Sequence, residues 1–233
     1  MKDWLRKRDK EILSPYYNLI DSSIDDFISK SDRKPVLLEV GCGRGTKDLL
    51  KIYNKCEEVI GVDPNKASLQ ENKYVTREIN SSLESVNLPK NSVDIVISAW
   101  VFEHIESPIE GVSEIEFMLR KGGYLVFITP NKNSLPSFIS RLTPHFLQAF
   151  LCRILYRRDE KDTYPTFYRL NSIKDLKKYF VNFKEKDMIM HDNIKFFGSF
   201  WLFRPLAIFW NCIIMSRFMK NFRSIIISRY IKR

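Results

Sequence analysis

The sequence predicts an α/β fold, doubly wound around a mostly parallel sheet with helices on both faces. Three observations carry this expectation. Short β-rich apolar runs alternate with helical patterns over the first 131 residues, a glycine-rich turn follows the first run directly, and acidic residues stand at the ends of the first two runs. Alternation of this kind is the signature of βαβ units. The runs are Val36 to Val40, Glu58 to Val62, a weaker Val75 to Ile79, Val93 to Ser98 and Gly123 to Ile128. Between them, Thr46 to Asn54 and Ile109 to Arg120 space apolar residues three and four apart, as an amphipathic helix requires. The second is expected to end at Lys121-Gly122-Gly123, a C-cap signal.

Length and composition bound the rest. A chain of 233 residues with 44% hydrophobic residues suits one domain with one sizeable core. Its expected parts are an N-terminal helical segment (1–35), a ligand-binding core (36–131), an insertion and helix covering a second substrate (132–180), and last strands joined by a basic, aromatic-rich helix (181–233). Cys42, Cys56, Cys152 and Cys212 are scattered, with no metal-ligand spacing among them or the three histidines, so no metal is expected. Reduced thiols and an N-terminus without the apolar core of a signal peptide point to the cytoplasm. Residues 1–131 hold 18 Lys plus Arg against 21 Asp plus Glu, whereas residues 132–233 hold 20 against 7. A basic half of this kind suits phosphates, an anionic membrane or an acidic substrate, or is simply a solvated face.

The chemistry is concentrated in Glu39-Val40-Gly41-Cys42-Gly43-Arg44-Gly45. Glycines between a strand and a helix let backbone approach a ligand closely. The spacing is G-x-G-x-G, not the G-x-G-x-x-G of dinucleotide sites. Glu39 would repel a pyrophosphate and attract a cation, so the ligand that fits carries an ammonium or sulfonium and no phosphate. Asp63, 22 residues after Gly41, is placed to accept from a ribose diol, although an aspartate there also suits a helix N-cap. Together these residues describe a nucleoside linked to an amino acid.

Four successive segments, VLLEVGCGRG, VIGVDPN, LPKNSVDIVISAWVFEHI and LRKGGYLVFITPN, resemble the motifs of class I S-adenosylmethionine-dependent methyltransferases of the type 11-like, small-molecule kind, in the right order. The resemblance covers residues 36–131 closely. It implies a Rossmann-like, seven-stranded sheet, S-adenosyl-L-methionine as cofactor and S-adenosyl-L-homocysteine as product. It further implies that Glu39, Gly41, Cys42 and Gly43 hold the methionine end and Asp63 the ribose. Pro64 and Asn65 would flank the adenine, Leu83 and Glu84 would read its amino group, and Ala99 and Trp100 would lie beside the methyl donor. The sixth strand would come from Val181 to Met190 and the last from Ser224 to Tyr230.

His104 is the candidate general base, with a hydrogen bond that fixes its loop as the alternative. His145, Tyr168 and Arg169 fall in the segment expected to cover the acceptor, because loops at the carboxyl ends of strands form the crevice in open α/β sheets. Asp94, inside the fourth motif, is read as structural. The acceptor is expected to be a small or lipid- or glycan-linked molecule methylated at oxygen. Ser98-Ala99-Trp100-Val101 lacks the Asn/Asp-Pro-Pro-aromatic pattern of base-amine methylation, which argues against nucleic acid. A protein that binds the cofactor without turnover is a third alternative. The aromatic, basic tail from Asn193 either meets an anionic membrane surface peripherally or packs as a helix on the sheet. Arg204-Pro205 in its middle argues against a membrane span. Oligomeric state and acceptor atom are left open.

Overall fold

The computed structural model describes residues 2–142, 164–192, 213–214, 216 and 218–233. Helix α1 (Lys2–Ser31) leads into β1 (Val36–Val40). The segment expected as one helix from Thr46 is a tight turn, Lys47–Leu49, continued by the single turn α2 (Leu50–Tyr53). Then come β2 (Glu58–Val62), α3 (Lys66–Gln70), β3 (Arg77–Ile79), β4 (Val93–Ala99), α4 (Pro108–Met118) and β5 (Leu119–Pro130). After α5 (Leu135–Leu142), α6 (Ile173–Tyr179) precedes β6 (Phe183–His191) and β7 (Ile225–Lys232). The tail from Asn193 to Cys212 lies outside the described residues.

The seven strands form one sheet in the order β3-β2-β1-β4-β5-β7-β6. The first five pair in parallel, and β7 runs antiparallel between β5 and β6. The strand order reverses at β1 and β4, where open α/β sheets place their crevice beyond the strand carboxyl ends.

Side chains alternating along the strands divide the core between the two faces. Leu38, Val40, Val96 and Phe127 pack with Val112 and Ile115 of α4 and Leu176 of α6. Leu37, Ile95, Ile97 and Val126 pack with Tyr16, Ile20 and Ile24 of α1 and Ile52 and Tyr53 of α2. At the amino ends of the strands, Asp94 is buried. It accepts from both Arg33 nitrogens at 2.8 and 2.6 Å, from Arg120 at 2.7 Å and from the Val36 amide at 2.9 Å. That cluster ties the linker after α1 to β1, β4 and β5, as the structural reading of Asp94 expects.

The end of α4 corrects a second expectation. Helix α4 ends at Met118, and its C-cap is Leu119 in extended conformation. Gly122 and Gly123 instead belong to β5, where the pairing with β4 shifts register between Val93 and Ile95. Gly122 has φ +77°, and a Cβ on Gly123 would stand 2.7 Å from the Asp94 carbonyl oxygen. The glycines serve a bulge against β4, a local need that the same residue types express at a helix end.

Candidate functional site

The glycine turn sits at the carboxyl end of β1. The amides of Gly41 and Cys42 both donate to the Val62 carbonyl, at 2.7 and 3.2 Å, which binds the turn to the end of β2. Gly41 has φ +73°, and a Cβ there would meet Val101 Cγ2 at 2.2 Å. Gly43 has φ +49°, with only Asp63 Oδ2 within 4 Å of where a Cβ would stand, so the space before it is open.

Asp63 holds this turn through its carboxylate. Oδ2 accepts from the Gly43 amide and Oδ1 from the Asn65 amide, both at 2.8 Å. Each carboxylate oxygen keeps a second lone pair for a further donor. The N-cap of α3 is Asn65, whose Oδ1 accepts from the Ser68 amide at 3.0 Å. Capping is therefore not the role of Asp63. Two residues with no motif signature complete the frame. Asn72 donates to the Gly43 carbonyl at 3.2 Å, and Asn80 to the carbonyls of Asp63 and Pro64 at 2.9 and 3.0 Å. Only their position in the folded loops reveals them.

Glu39 faces the α1 side of the sheet and is 8% exposed. The Tyr53 hydroxyl donates to its Oε2 at 2.6 Å. Burial pushes the Glu39 carboxyl up to about 7; the Tyr53 hydrogen bond opposes that rise and the Asp63 charge adds to it. Burial, then Glu39, raises the Tyr16 phenol of α1. Burial, followed by Glu39 and Asp63, pushes the Cys42 thiol up to about 12, so it stays a neutral thiol at the turn. Two acidic groups, Glu39 and Asp63, thus converge on the glycine turn, an environment complementary to a cation.

On the opposite face of the sheet lies a cleft of about 150 Å³. Its floor is the ends of β1 and β2, Val40-Gly41 and Val62 with Pro64. One side is Ser81 to Glu84, another is Val101, His104 and Ile105, and the last is Tyr164, Pro165 and Phe167. The structure thus brings Gly41, Pro64, Leu83, Glu84 and His104 into one cleft. Cys42, Gly43 and Asp63 belong to the adjoining turn without lining the cleft, and Glu39 faces the other side of the sheet. Ala99 and Trp100 pack on the α1 side, where Trp100 takes φ +59° and donates its amide to the Ile128 carbonyl at 3.0 Å.

His104 Nδ1 donates to the Pro165 carbonyl at 2.7 Å, so a proton accepted from a substrate would arrive at Nε2. Arg169 donates to the Glu106 carbonyl at 2.5 Å and lies over the Phe167 ring at 5.4 Å; Tyr168, at φ +53°, donates its amide to the Glu103 carbonyl at 3.2 Å. Neither side chain lines the cleft, and His145 lies outside the described residues. Sequence reasoning missed Val101 and Ile105, since apolar residues in a loop carry no pattern. Among the described residues, no group of three or more His, Cys, Asp or Glu side chains is placed to hold a metal.

Residues 38–127 match a family model described as a methyltransferase domain. A Mycolicibacterium smegmatis protein named "Probable S-adenosylmethionine-dependent methyltransferase" is 35% identical over 99 residues, 41% of this chain and 38% of that one. A tRNA U34 carboxymethyltransferase of Mannheimia succiniciproducens is 31% identical over 103 residues, 40% of this chain and 32% of that one. The chain thus spans about a third of the length of the curated relatives it matches. Among solved structures, an Archaeoglobus fulgidus SAM-dependent methyltransferase superposes with TM-score 0.56 at 18% identity, covering 93% of this chain and 94% of that one. The N-methyltransferase NodS of Bradyrhizobium japonicum, in complex with S-adenosylhomocysteine, gives 0.54 at 10% identity, covering 94% of this chain and 86% of that one. At these identities the shared property is the fold.

Proposed function

We propose that residues 38–127, which match a methyltransferase domain model, form a class I S-adenosylmethionine-dependent methyltransferase domain, and that this chain transfers the methyl group of S-adenosylmethionine to oxygen of a small-molecule or lipid- or glycan-linked acceptor. The observation that carries cofactor use is the convergence of Glu39 and Asp63 on a glycine turn beside an apolar cleft. The residues fit the group: carboxylates for an ammonium and a ribose diol, open backbone at Gly43, and an apolar slot edged by Ser81, Ser82 and Glu84 for a base. When bound, the cofactor supplies a methyl group on a sulfonium, already a good leaving group, so the protein's contribution is chiefly positioning.

Each residue then has a task. Glu39 attracts the amino-acid end, and Gly41, Cys42 and Gly43 let it approach the backbone. Asp63 accepts from the ribose through its remaining lone pairs. Pro64, Asn65 and Leu83 flank the base, and Glu84 accepts from its amino group. Ala99 and Trp100 stand beside the methyl donor. His104 Nε2 takes the acceptor's hydroxyl proton, while Nδ1 keeps its bond to Pro165. Arg169 and the Tyr168 amide hold the loop at 103–106, which places both as candidate acceptor contacts beside His104.

The test is calorimetric titration with S-adenosylmethionine and S-adenosylhomocysteine. Micromolar-range binding weakened roughly 5- to 150-fold by Asp63→Ala is the expected result, the equivalent of about 1–3 kcal/mol. No binding of either ligand removes the reading.

A second reading has specific support. Residues 132–233 carry 20 Lys plus Arg against 7 Asp plus Glu, and one relative is named for tRNA U34. Methyl incorporation from labelled cofactor into total RNA, run against a lipid and small-molecule extract, separates the two acceptor classes. Peripheral contact of the tail with an anionic membrane predicts salt-sensitive sedimentation with anionic liposomes. Among the described residues, no helix is long and apolar enough to cross a membrane.

A further inference from the structure

Glu39 stands on a strand paired along both edges. Its partners across the sheet are Gly61 of β2 and Ile97 of β4, so the backbone has little freedom to carry the carboxyl toward a ligand. Where the carboxyl sits is therefore settled by what its side chain meets on the face covered by α1 and α2. Ala99 and Trp100, which the proposed function sets beside the methyl donor, pack on that same face.

One donor reaches the carboxyl there. The Tyr53 hydroxyl donates to Oε2 at 2.6 Å, and among the described residues no other hydrogen bond to the Glu39 carboxylate is made. Tyr53 closes α2, and its ring is 4% exposed among Tyr16, Ile20 and the sheet, so the hydroxyl is held as firmly as the ring. Burial, with Glu39 adding to it, pushes the Tyr53 phenol far up, and it keeps its proton and stays a donor. The other ionisable groups around Glu39 supply no such bond. Burial first raises Tyr16 and Tyr17 of α1 and Cys42 of the turn, which all stay neutral, and Asp63 after β2 brings a negative charge. With Oε2 occupied, Oε1 is the oxygen left for a ligand, and a hydrogen bond donated to a carboxylate favours its charged form.

We infer that Tyr53 is a positioning residue of the cofactor site, whose hydroxyl holds Oε2 of Glu39 so that Oε1 meets the ammonium of the amino-acid end. The same bond sustains the ionised carboxyl that a cation needs. This inference rests on the proposed use of S-adenosylmethionine, and Tyr53 acts on the cofactor only through Glu39.

The test is calorimetric titration of S-adenosylhomocysteine, which carries the same ammonium, into wild type and Tyr53→Phe at pH 7 and pH 8.5, in buffers of different ionisation enthalpy. The ligand's own titration is common to both proteins, so the ratio of their affinities reads the protein. Tyr53→Phe should bind about 5- to 20-fold more weakly at pH 7, and the gap should narrow to about threefold or less at pH 8.5, where Glu39 ionises in the variant too. The variant should also release more protons per ligand bound than the wild type. An equal loss at both pH values with unchanged proton release makes Tyr53 a packing residue and overturns the inference, as does unchanged affinity at pH 7. If Tyr53→Phe does not fold, Glu39→Gln with and without Tyr53→Phe takes its place. Those two should bind alike, since the hydroxyl then has no charge to sustain, and a further loss beyond about threefold overturns the inference. A wild type that binds no S-adenosylhomocysteine removes the proposed function and this role with it.

Discussion

Glu39 is a carboxyl whose environment suits it poorly until a cation arrives. Buried and close to Asp63, it titrates near 7 in the free protein instead of near the ordinary 4.5. The folded chain therefore binds the Glu39 proton more tightly than the unfolded chain does. The stability that this proton confers is fully present below about pH 4.5 and is lost as pH rises through about 7. The shift corresponds to about 3 kcal/mol at most, because each pKa unit is worth about 1.4 kcal/mol. Glu39→Gln should remove this dependence, and urea denaturation at pH 5 and pH 8 measures it. Equal losses between the two pH values in wild type and variant would refute the assignment. A cationic ligand requires the ionised form, so S-adenosylhomocysteine should bind more tightly at pH 8 than at pH 6 and release a proton on binding. Calorimetry in buffers of different ionisation enthalpy reads that proton directly. This behaviour was not legible in the sequence, where Glu39 is visible as an acid before a glycine but its partner Tyr53, 14 residues on, is not.

At the scale of elements, the ionic cluster at Asp94 and the ligand site occupy opposite ends of the same strands. Burial acts to raise the Asp94 carboxyl, but Arg33, the Val36 amide and Arg120 outweigh it and hold it below the usual carboxylate range. Its contribution is present above about pH 3.8 and lost as pH falls through the lower folded value. Asp94→Ala leaves two arginines and an amide without their acceptor, and should cost roughly 3 kcal/mol in chemical denaturation. Affinity for S-adenosylhomocysteine should hardly change in the protein that remains folded; a proportionate loss of both would mean that the cluster also shapes the site. The strands that carry these residues were legible because apolar side chains buried on both faces leave continuous runs, so β1 and β2 have the expected bounds. The weaker third run shrank to Arg77–Ile79, an edge strand whose pairing depends on β2 alone. The misread Gly122-Gly123 has the same root: glycine marks unusual backbone, and only the partner strand decides which kind.

The whole molecule closes through its last strand. Tyr124 to Pro130 of β5 pair with Ile225 to Ile231 of β7, and β6 reaches the sheet only through β7. Arg229 bonds Asp187 of β6 and also donates to Ser22 and Ser23 of α1, joining the two ends of the chain. Lys132 pairs with Asp175, and Lys232 donates to the carbonyls of Glu116 and Leu119. Part of the basic excess after residue 131 is therefore spent inside the fold, so the charge count alone overstates the surface offered to a polyanion. Removing residues 225–233 should unpair β5, detach β6 and expose Val126 and Phe127, which are both fully buried. At about 1.5–3 kcal/mol for each buried apolar side chain, losing β7 exceeds the margin of a typical domain. The truncated chain should lose its cooperative thermal transition and its affinity for S-adenosylhomocysteine together, although every residue given to the cofactor precedes the cut. A truncation that still unfolds cooperatively and binds the ligand would mean that the parallel strands and α1 form a self-sufficient core, to which β6 and β7 are an addition.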